Sequence, residues 1–187
     1  MAEKRKDWNG LISGFKASDL VFLDESGCNT DMTRRYAYSF GGSRAVDSAP
    51  LSKPKNTTIL SSIQLNGTLH YTTFSGGTTV ERFKRYLETD LLPHLNGNSV
   101  LIMDNMKSHH AKAVKELLDS SGVRYIYLPP YSPDLNPIEK LWSKVKAFLR
   151  KFKARTLDAL PNAIQNAFHS VTVSDCSGWF RFCGYAL

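Results

Sequence analysis

Apolar residues fall along this chain in two rhythms. Val21-Phe22-Leu23 and Val100-Leu101-Ile102-Met103 are short unbroken apolar runs, the pattern of strands buried on both faces. The first is preceded by Asp19 and followed by Asp24-Glu25-Ser26-Gly27, which reads as a turn ending the strand. The second strand extends from Ser99 to Met103, and residues 34–41, Thr57 to Leu65, Thr68 to Phe74 and Val123 to Leu128 read as further strands. Asn66-Gly67, between two of them, is the strongest short hairpin signal. Helical spacing governs Val80, Phe83, Leu87 and Leu91, in a segment opened by Gly76-Gly77-Thr78-Thr79, running to Leu92 and stopped by Pro93. Further helices are expected from about Ser108 to Asp119, across residues 138–152, and from about Thr156 to Phe168. The tail through Trp179 and Tyr185 is aromatic and fits neither rhythm. An antiparallel opening followed by alternating helices and strands predicts an α/β fold: a mixed sheet, its first three strands antiparallel, with helices on both faces. No repeat, low-complexity tract or linker divides the chain, so one domain is expected, residues 19–187, after a short lead-in of residues 1–18.

With 187 residues, 42% hydrophobic and 22% charged, the chain can bury a core without disulfide or metal staples. No apolar run approaches the ~20 residues that span a bilayer, and Lys4-Arg5-Lys6 lead into Asp7-Trp8-Asn9-Gly10 rather than an apolar signal segment. Three cysteines, Cys28, Cys176 and Cys183, form no paired motif, which favours a reducing cytoplasm and no membrane partner. The net charge of +7 is concentrated: residues 140–155 carry Lys140, Lys144, Lys146, Arg150, Lys151, Lys153 and Arg155 and no acid. Ile138, Leu141, Trp142, Val145, Phe148, Leu149 and Phe152 form the apolar stripe of the same helix, so its cations mostly share the other side. That side is either a solvated face that touches nothing or a surface for a polyanion.

Two aspartates directly follow apolar strands, Asp24 and Asp104. Ligands bind where the carboxyl ends of strands diverge in open α/β sheets, and an acid there can equally form a turn or cap a helix. If the two strands are neighbours, two like charges converge and call for a cation. Oxygen-only ligands select Mg²⁺ or Mn²⁺ over zinc. Glu139 is the third candidate, with a local rival: Asn136-Pro137-Ile138-Glu139 has the form of a capping box in which the carboxylate serves only backbone N–H groups. The same position aims that carboxylate out of the first turn of the basic helix, off the apolar stripe.

Three segments, Leu23-Asp24-Glu25-Ser26-Gly27, Met103-Asp104-Asn105 with His109, and residues 128–139 (LPPYSPDLNPIE) with Trp142, resemble the DDE transposases of the mariner-like superfamily, most nearly the bacterial insertion-sequence branch numbered 630. The 34 residues between Asp104 and Glu139 are the spacing of that branch. Arg34-Arg35-Tyr36, Gly41-Gly42-Ser43-Arg44-Ala45, and the residues from Gly178-Trp179-Phe180 to Gly184-Tyr185 share the likeness, which extends from about residue 8 to the end. The resemblance implies a ribonuclease-H-like fold in which Asp24, Asp104 and Glu139 hold two divalent ions, Mg²⁺ or Mn²⁺. It also implies metal-dependent cleavage of DNA at element ends and strand transfer into a target. Double-stranded DNA would then be the polyanion met by Lys140, Lys144, Lys146, Arg150 and Lys151. His109 matches a histidine of the family and either orients a catalytic group or caps the helix beginning there. Asn105 either positions Asp104 or contacts substrate. Glu25 should point to the opposite sheet face from Asp24 and stand outside the triad, and Trp142 should pack in the core.

Full-length relatives carry helix-turn-helix modules ahead of the catalytic part, whereas about twenty residues precede Asp24. The expectation is a catalytic half whose DNA reader is a separate or upstream segment, working in the cytoplasm, on the nucleoid when DNA is bound, with a homodimer as one allowed assembly. Two rivals remain open: a remnant that only binds nucleic acid or a partner, and a ribonuclease-H-type nuclease.

Overall fold

The apolar run that opens at Leu20 becomes the middle of a five-stranded sheet. In the computed structural model, which describes residues 2–34, 36–51 and 54–185, strand β1 spans Leu20–Cys28. Its neighbours are β2 (Thr57–Gln64), antiparallel, and β4 (Val100–Met103), parallel. Strand β3 (Leu69–Ser75) pairs antiparallel with β2, and β5 (Arg124–Tyr127) parallel with β4, giving the order β3-β2-β1-β4-β5. The mixed sheet with three antiparallel opening strands is as expected.

Alternation along β1 and β4 divides the core in two, because successive side chains in a strand point to opposite faces. Leu20, Phe22, Val100 and Ile102 pack with helices α4 (Ile138–Phe152), α5 (Ala159–His169) and α6 (Val173–Phe182). Val21, Leu23, Leu101 and Met103 pack with α2 (Val80–Tyr86) and α3 (Lys112–Ser121) on the other face. All eight strand residues are buried, each worth about 1.5–3 kcal/mol of transfer free energy. Trp8, on an N-terminal helix α1 (Ala2–Ile12), joins the first face, as does Phe180 of α6, edge-on to Phe22 at 5.4 Å. Neither α1 nor α6 was legible in the apolar pattern.

Four expectations are corrected. β1 does not end in a turn at Asp24. It continues to Cys28 because β2 keeps pairing with it, Asp24 opposite Ser61 and Cys28 opposite Thr57, while β4 stops at Met103. Residues 34–41 are not a strand: both edges of β1 are taken, Gly41 and Gly42 adopt positive φ, and Tyr36, Tyr38 and Phe40 are exposed. Arg35 lies outside the described residues. The helix to Leu92 begins on schedule, with Thr79 Oγ1 accepting from Arg82 N–H, but passes into a π turn at Leu87–Leu91 and a 3-10 turn at Leu92–His94. The helix expected from Ser108 starts at Lys112, because side chains before it are held elsewhere, as described below. The Asn66-Gly67 hairpin forms as expected. Gly67 has φ 86°, and a Cβ there would lie 3.1 Å from Val173 Cγ2. Cys28, Cys176 and Cys183 are buried free thiols. Among the described residues no helix is long and apolar enough to cross a membrane.

Candidate active site

Asp24 and Asp104 are brought together by sheet register. Leu23 is paired with Met103, so each aspartate is the first residue beyond the last parallel pair, where β4 leaves the sheet and β1 runs on alone against β2. Both share the parity of Phe22 and Ile102 and belong to the face of the sheet covered by α4. Ile138 and Leu141, buried on that face, fix α4 there, and its first turn carries Glu139. All three acids line one open cavity of about 460 Å³, together with Asn105, Met106, Asn136 and residues 128–133. The expected capping box does not form. Glu139 N–H meets the Asn136 backbone oxygen at 3.2 Å, and among the described residues no side chain caps α4 and the buried Asn136 Oδ1 has no partner. The exposed Glu139 side chain is therefore not spent on its own helix end. Among the described residues no three carboxylate, imidazole or thiol groups are drawn close enough to form a closed metal-ligand set. Two carboxylates sit at the sheet and the third is on the cavity wall.

The two aspartates are held differently. Asp24 Oδ1 accepts from Glu25 N–H at 2.8 Å, and Oδ2 accepts from the indole N–H of Trp142 at 3.0 Å. Burial pushes its carboxyl from the ordinary 3.8 up to about 7, against those two hydrogen bonds and with help from the nearby Glu25 and Asp104 charges. Trp142 was expected to pack in the core; it does, at 4% exposure, and is also a donor to the proposed ligand. The apolar stripe gave no sign of this second task, since only the tertiary fold brings residues 118 positions apart together.

Asp104 Oδ1 accepts from Met106 N–H at 2.9 Å and lies 2.8 Å from His109 Nδ1. Burial works against its ionisation, but the His109 and Met106 bonds outweigh it and lower its pKa. His109 is completely buried, and its Nε2 is 3.1 Å from Glu25 Oε1. Burial alone would lower the imidazole's pKa; the bonds to Asp104 and Glu25 raise it to about 10 instead. These contacts turn the His109 side chain inward, and α3 begins only at Lys112, so His109 is not its cap. Glu25 does point away from Asp24, to the face that holds Phe83, whose ring stacks on His109 at 4.2 Å. Asn105 Nδ2–H donates to Leu128 O at 2.5 Å, stitching the segment after β4 to the end of β5. Tyr131, beyond it, is 88% exposed at the cavity rim with φ 56°, a left-handed conformation rare for an aromatic residue.

The basic residues of α4 do not form one solvated face. Lys140 Nζ stands 3.9 Å from the Phe182 ring centre, and Lys144 Nζ pairs with Asp175 Oδ2 at 2.5 Å, so both lean on α6. Lys146 and Arg150 line a second cleft of about 970 Å³ with Cys28, Arg34, Tyr36 and Pro50. Lys151 is exposed. Lys153 pairs with Asp47, and Arg155 donates to the Thr30 and Met32 carbonyls.

Residues 19–161 match the family described as DDE superfamily endonuclease. Over 97 residues the chain is 29% identical to the transposable element Tc1 transposase of Caenorhabditis elegans, covering 50% of this chain and 36% of that protein. Over 75 residues it is 32% identical to the transposable element Tcb2 transposase of Caenorhabditis briggsae, covering 40% and 28%. The matched part thus spans about a third of the length of these curated relatives. Among solved structures, the Mos1 transposase paired-end complex with left transposon end superposes with a TM-score of 0.80 at 18% identity, over 95% of this chain and 57% of that one. The Mos1 mariner paired end complex with Mn gives 0.80 at 20% identity, over 95% and 57%. The catalytic domain of Mos1 mariner transposase gives 0.66 at 16% identity, over 96% and 85%. The shared fold is ribonuclease-H-like.

Proposed function

The chain belongs to the DDE superfamily of endonucleases, and on that footing we propose that it is the catalytic domain of a transposase, cleaving DNA at element ends and joining them to a target. The observation that carries this reading is the meeting of Asp24, Asp104 and Glu139, from two strands and a helix, on one open cavity. The donor set fits a hard divalent ion. It is all oxygen, and the imidazole that contacts Asp104, that of His109, has both nitrogens engaged with Asp104 and Glu25. Burial disfavours the charged form of Asp24 and raises its pKa to about 7, a penalty that a cation held there would offset. Asp24, Asp104 and Glu139 would hold two Mg²⁺ or Mn²⁺ ions. Held by these three carboxylates, such ions would supply Lewis-acid activation of a water or DNA 3′-OH and stabilisation of the leaving oxygen in an in-line displacement at phosphorus.

The chain's own groups prepare that geometry. Trp142 and the Glu25 amide hold both oxygens of Asp24, so its orientation is set before an ion arrives. His109 and Met106 N–H both engage Oδ1 of Asp104. Glu139 supplies a carboxylate free of capping duty. Lys146, Arg150 and Lys151, with Lys140 and Lys144 nearer α6, would meet the phosphate backbone without reading sequence. Sequence recognition would come from a helix-turn-helix segment, and pairing of two ends from a homodimer. The working compartment would be the cytoplasm, at the nucleoid.

The test is incubation with Mn²⁺ and either supercoiled plasmid or a labelled RNA–DNA hybrid. We expect nicking of the plasmid that is absent in Asp104→Ala; degradation of the hybrid alone would instead assign a ribonuclease-H-type activity. Binding to duplex DNA should weaken steeply with salt. Removing Lys146 or Arg150 should lower the slope of log affinity against log salt by about 1 each. Removing Lys144, already paired with Asp175, should lower it less.

A further inference from the structure

Glu25 and His109 lie 84 residues apart, in separate motifs, and neither is one of the three proposed ligands, yet they meet beneath the cavity. Val21 and Leu23, which share Glu25's side of β1, are buried among apolar residues. An apolar residue at position 25 would extend that surface. Instead a carboxylate sits there with only 8% of its side chain exposed and Oε2 buried without a partner among the described residues. A buried carboxylate is costly unless paired, and the partner that Glu25 has is His109.

That histidine is fixed on every side. Its ring is stacked on Phe83 at 4.2 Å, its carbonyl accepts from the Tyr127 hydroxyl at 3.0 Å, and both ring nitrogens face carboxylate oxygens, at 2.8 Å and 3.1 Å. The order is carboxylate, imidazole, carboxylate, with Asp104 at the cavity end, its side chain 42% exposed, and Glu25 at the buried end.

We propose that Glu25 and His109 are positioning residues for Asp104: Glu25 holds the imidazole, and the imidazole holds Oδ1 of Asp104 so that Oδ2 is presented to the cavity. The inference rests on the metal-site reading above. It follows the general arrangement in which a partner outside the ligand set orients a ligating group. Asp104 lies at the end of β4 with its backbone already leaving the sheet, so a side-chain clamp supplies the order that the ladder no longer can. Glu25 acts on Asp104 only through His109.

The experiment uses the full chain and Mn²⁺ alone, with affinity measured by electron paramagnetic resonance and folding checked by thermal unfolding. His109→Asn should weaken Mn²⁺ binding about 10- to 100-fold, and Glu25→Gln by a smaller factor of about 3 to 10. The double variant should bind no worse than His109→Asn alone, because the Glu25 effect has no other route. A merely structural role would lower the melting temperature of each variant and leave the affinity of the folded fraction untouched. Wild-type affinity in folded His109→Asn or Glu25→Gln overturns the proposal, as does independent multiplication of the two losses in the double variant. Should His109→Asn fail to fold, Glu25→Gln decides alone: weakened binding supports the clamp and wild-type binding overturns it. A wild-type chain that binds no Mn²⁺ is a different result, removing the metal site itself and this inference with it.

Discussion

The two central carboxylates belong to one face of the sheet, but Asp24 is held by groups of that face and Asp104 from the opposite face, by different chemistry. On the α4 face, Asp24 receives a neutral indole N–H and a backbone amide. On the α3 face, an imidazole paired with a second carboxylate reaches Asp104. A neutral donor orients a carboxylate without cancelling its charge, so burial wins and the Asp24 carboxyl is pushed up to about 7. A cationic donor does both, and the Asp104 pKa is lowered despite burial. The site therefore contains one carboxylate whose charge is already balanced and one that lacks a cation. That asymmetry explains how two acids can stand on adjacent strands of a folded protein before any ion is present, where equal treatment would leave both unpaired.

Removing either acid should break the comparison outright. Asp24→Ala and Asp104→Ala should each lower metal-dependent nicking by about 1,000-fold or more, since several kcal/mol of charge stabilisation are lost at about 1.4 kcal/mol per tenfold. Glu139→Ala should do the same for cleavage while leaving more of the Mn²⁺ affinity, because its carboxylate is not held at the sheet. Equal retention of affinity in all three variants would show that the ion sits elsewhere.

Trp142→Phe separates orientation from charge on the α4 face. The ring stays in the core and only the N–H is lost, so the stability cost should be about 1 kcal/mol. Mn²⁺ affinity should fall about tenfold, at the low end for a partner outside the ligand set. That loss should be smaller than the one from His109→Asn, because the indole contributes no charge. A larger loss in Trp142→Phe would reverse the ranking of the two faces. Calorimetric titration of both variants with Mn²⁺ makes the comparison.

How much of this was legible in the sequence depended on range. Val21-Phe22-Leu23 and Val100-Leu101-Ile102-Met103 announced buried strands, Asn66-Gly67 a hairpin, and the stripe from Ile138 to Phe152 a helix, because each signal is contained within its own element. Asp24, Asp104 and Glu139 stood out because they follow or open such elements. Local signals misled where tertiary contacts outweighed them. The alternating Tyr36, Tyr38 and Phe40 found no strand to pair with. Asn136 and Glu139 had the right residues for a capping box that the cavity wall does not use. The start of α3 moved to Lys112 because His109 is turned toward Glu25 and Asp104. The donor role of Trp142 had no local signature, since a tryptophan on an apolar stripe looks the same whether or not its N–H has a partner.

The smallest expected effect is also the one that tests the asymmetry most directly, in the metal-free protein. Asp24 has its folded-state pKa raised from 3.8 to about 7. Between those values the folded chain holds a proton that the unfolded chain has released, so stability falls as pH rises through that window and is level above it. His109 is raised from 6.5 to about 10. Its contribution is fully present below 6.5 and is lost as pH climbs toward 10. Two successive declines are therefore expected in urea unfolding with chelator present, one on the acid side of neutrality and one on the alkaline side. Asp24→Asn should flatten the first and leave the second; His109→Asn should flatten the second and leave the first. Mn²⁺ should also remove the first decline, by taking the place of the Asp24 proton. If Asp24→Asn leaves the acid-side slope unchanged, the charge on the α4 face is balanced by some other group and the contrast between the two faces fails.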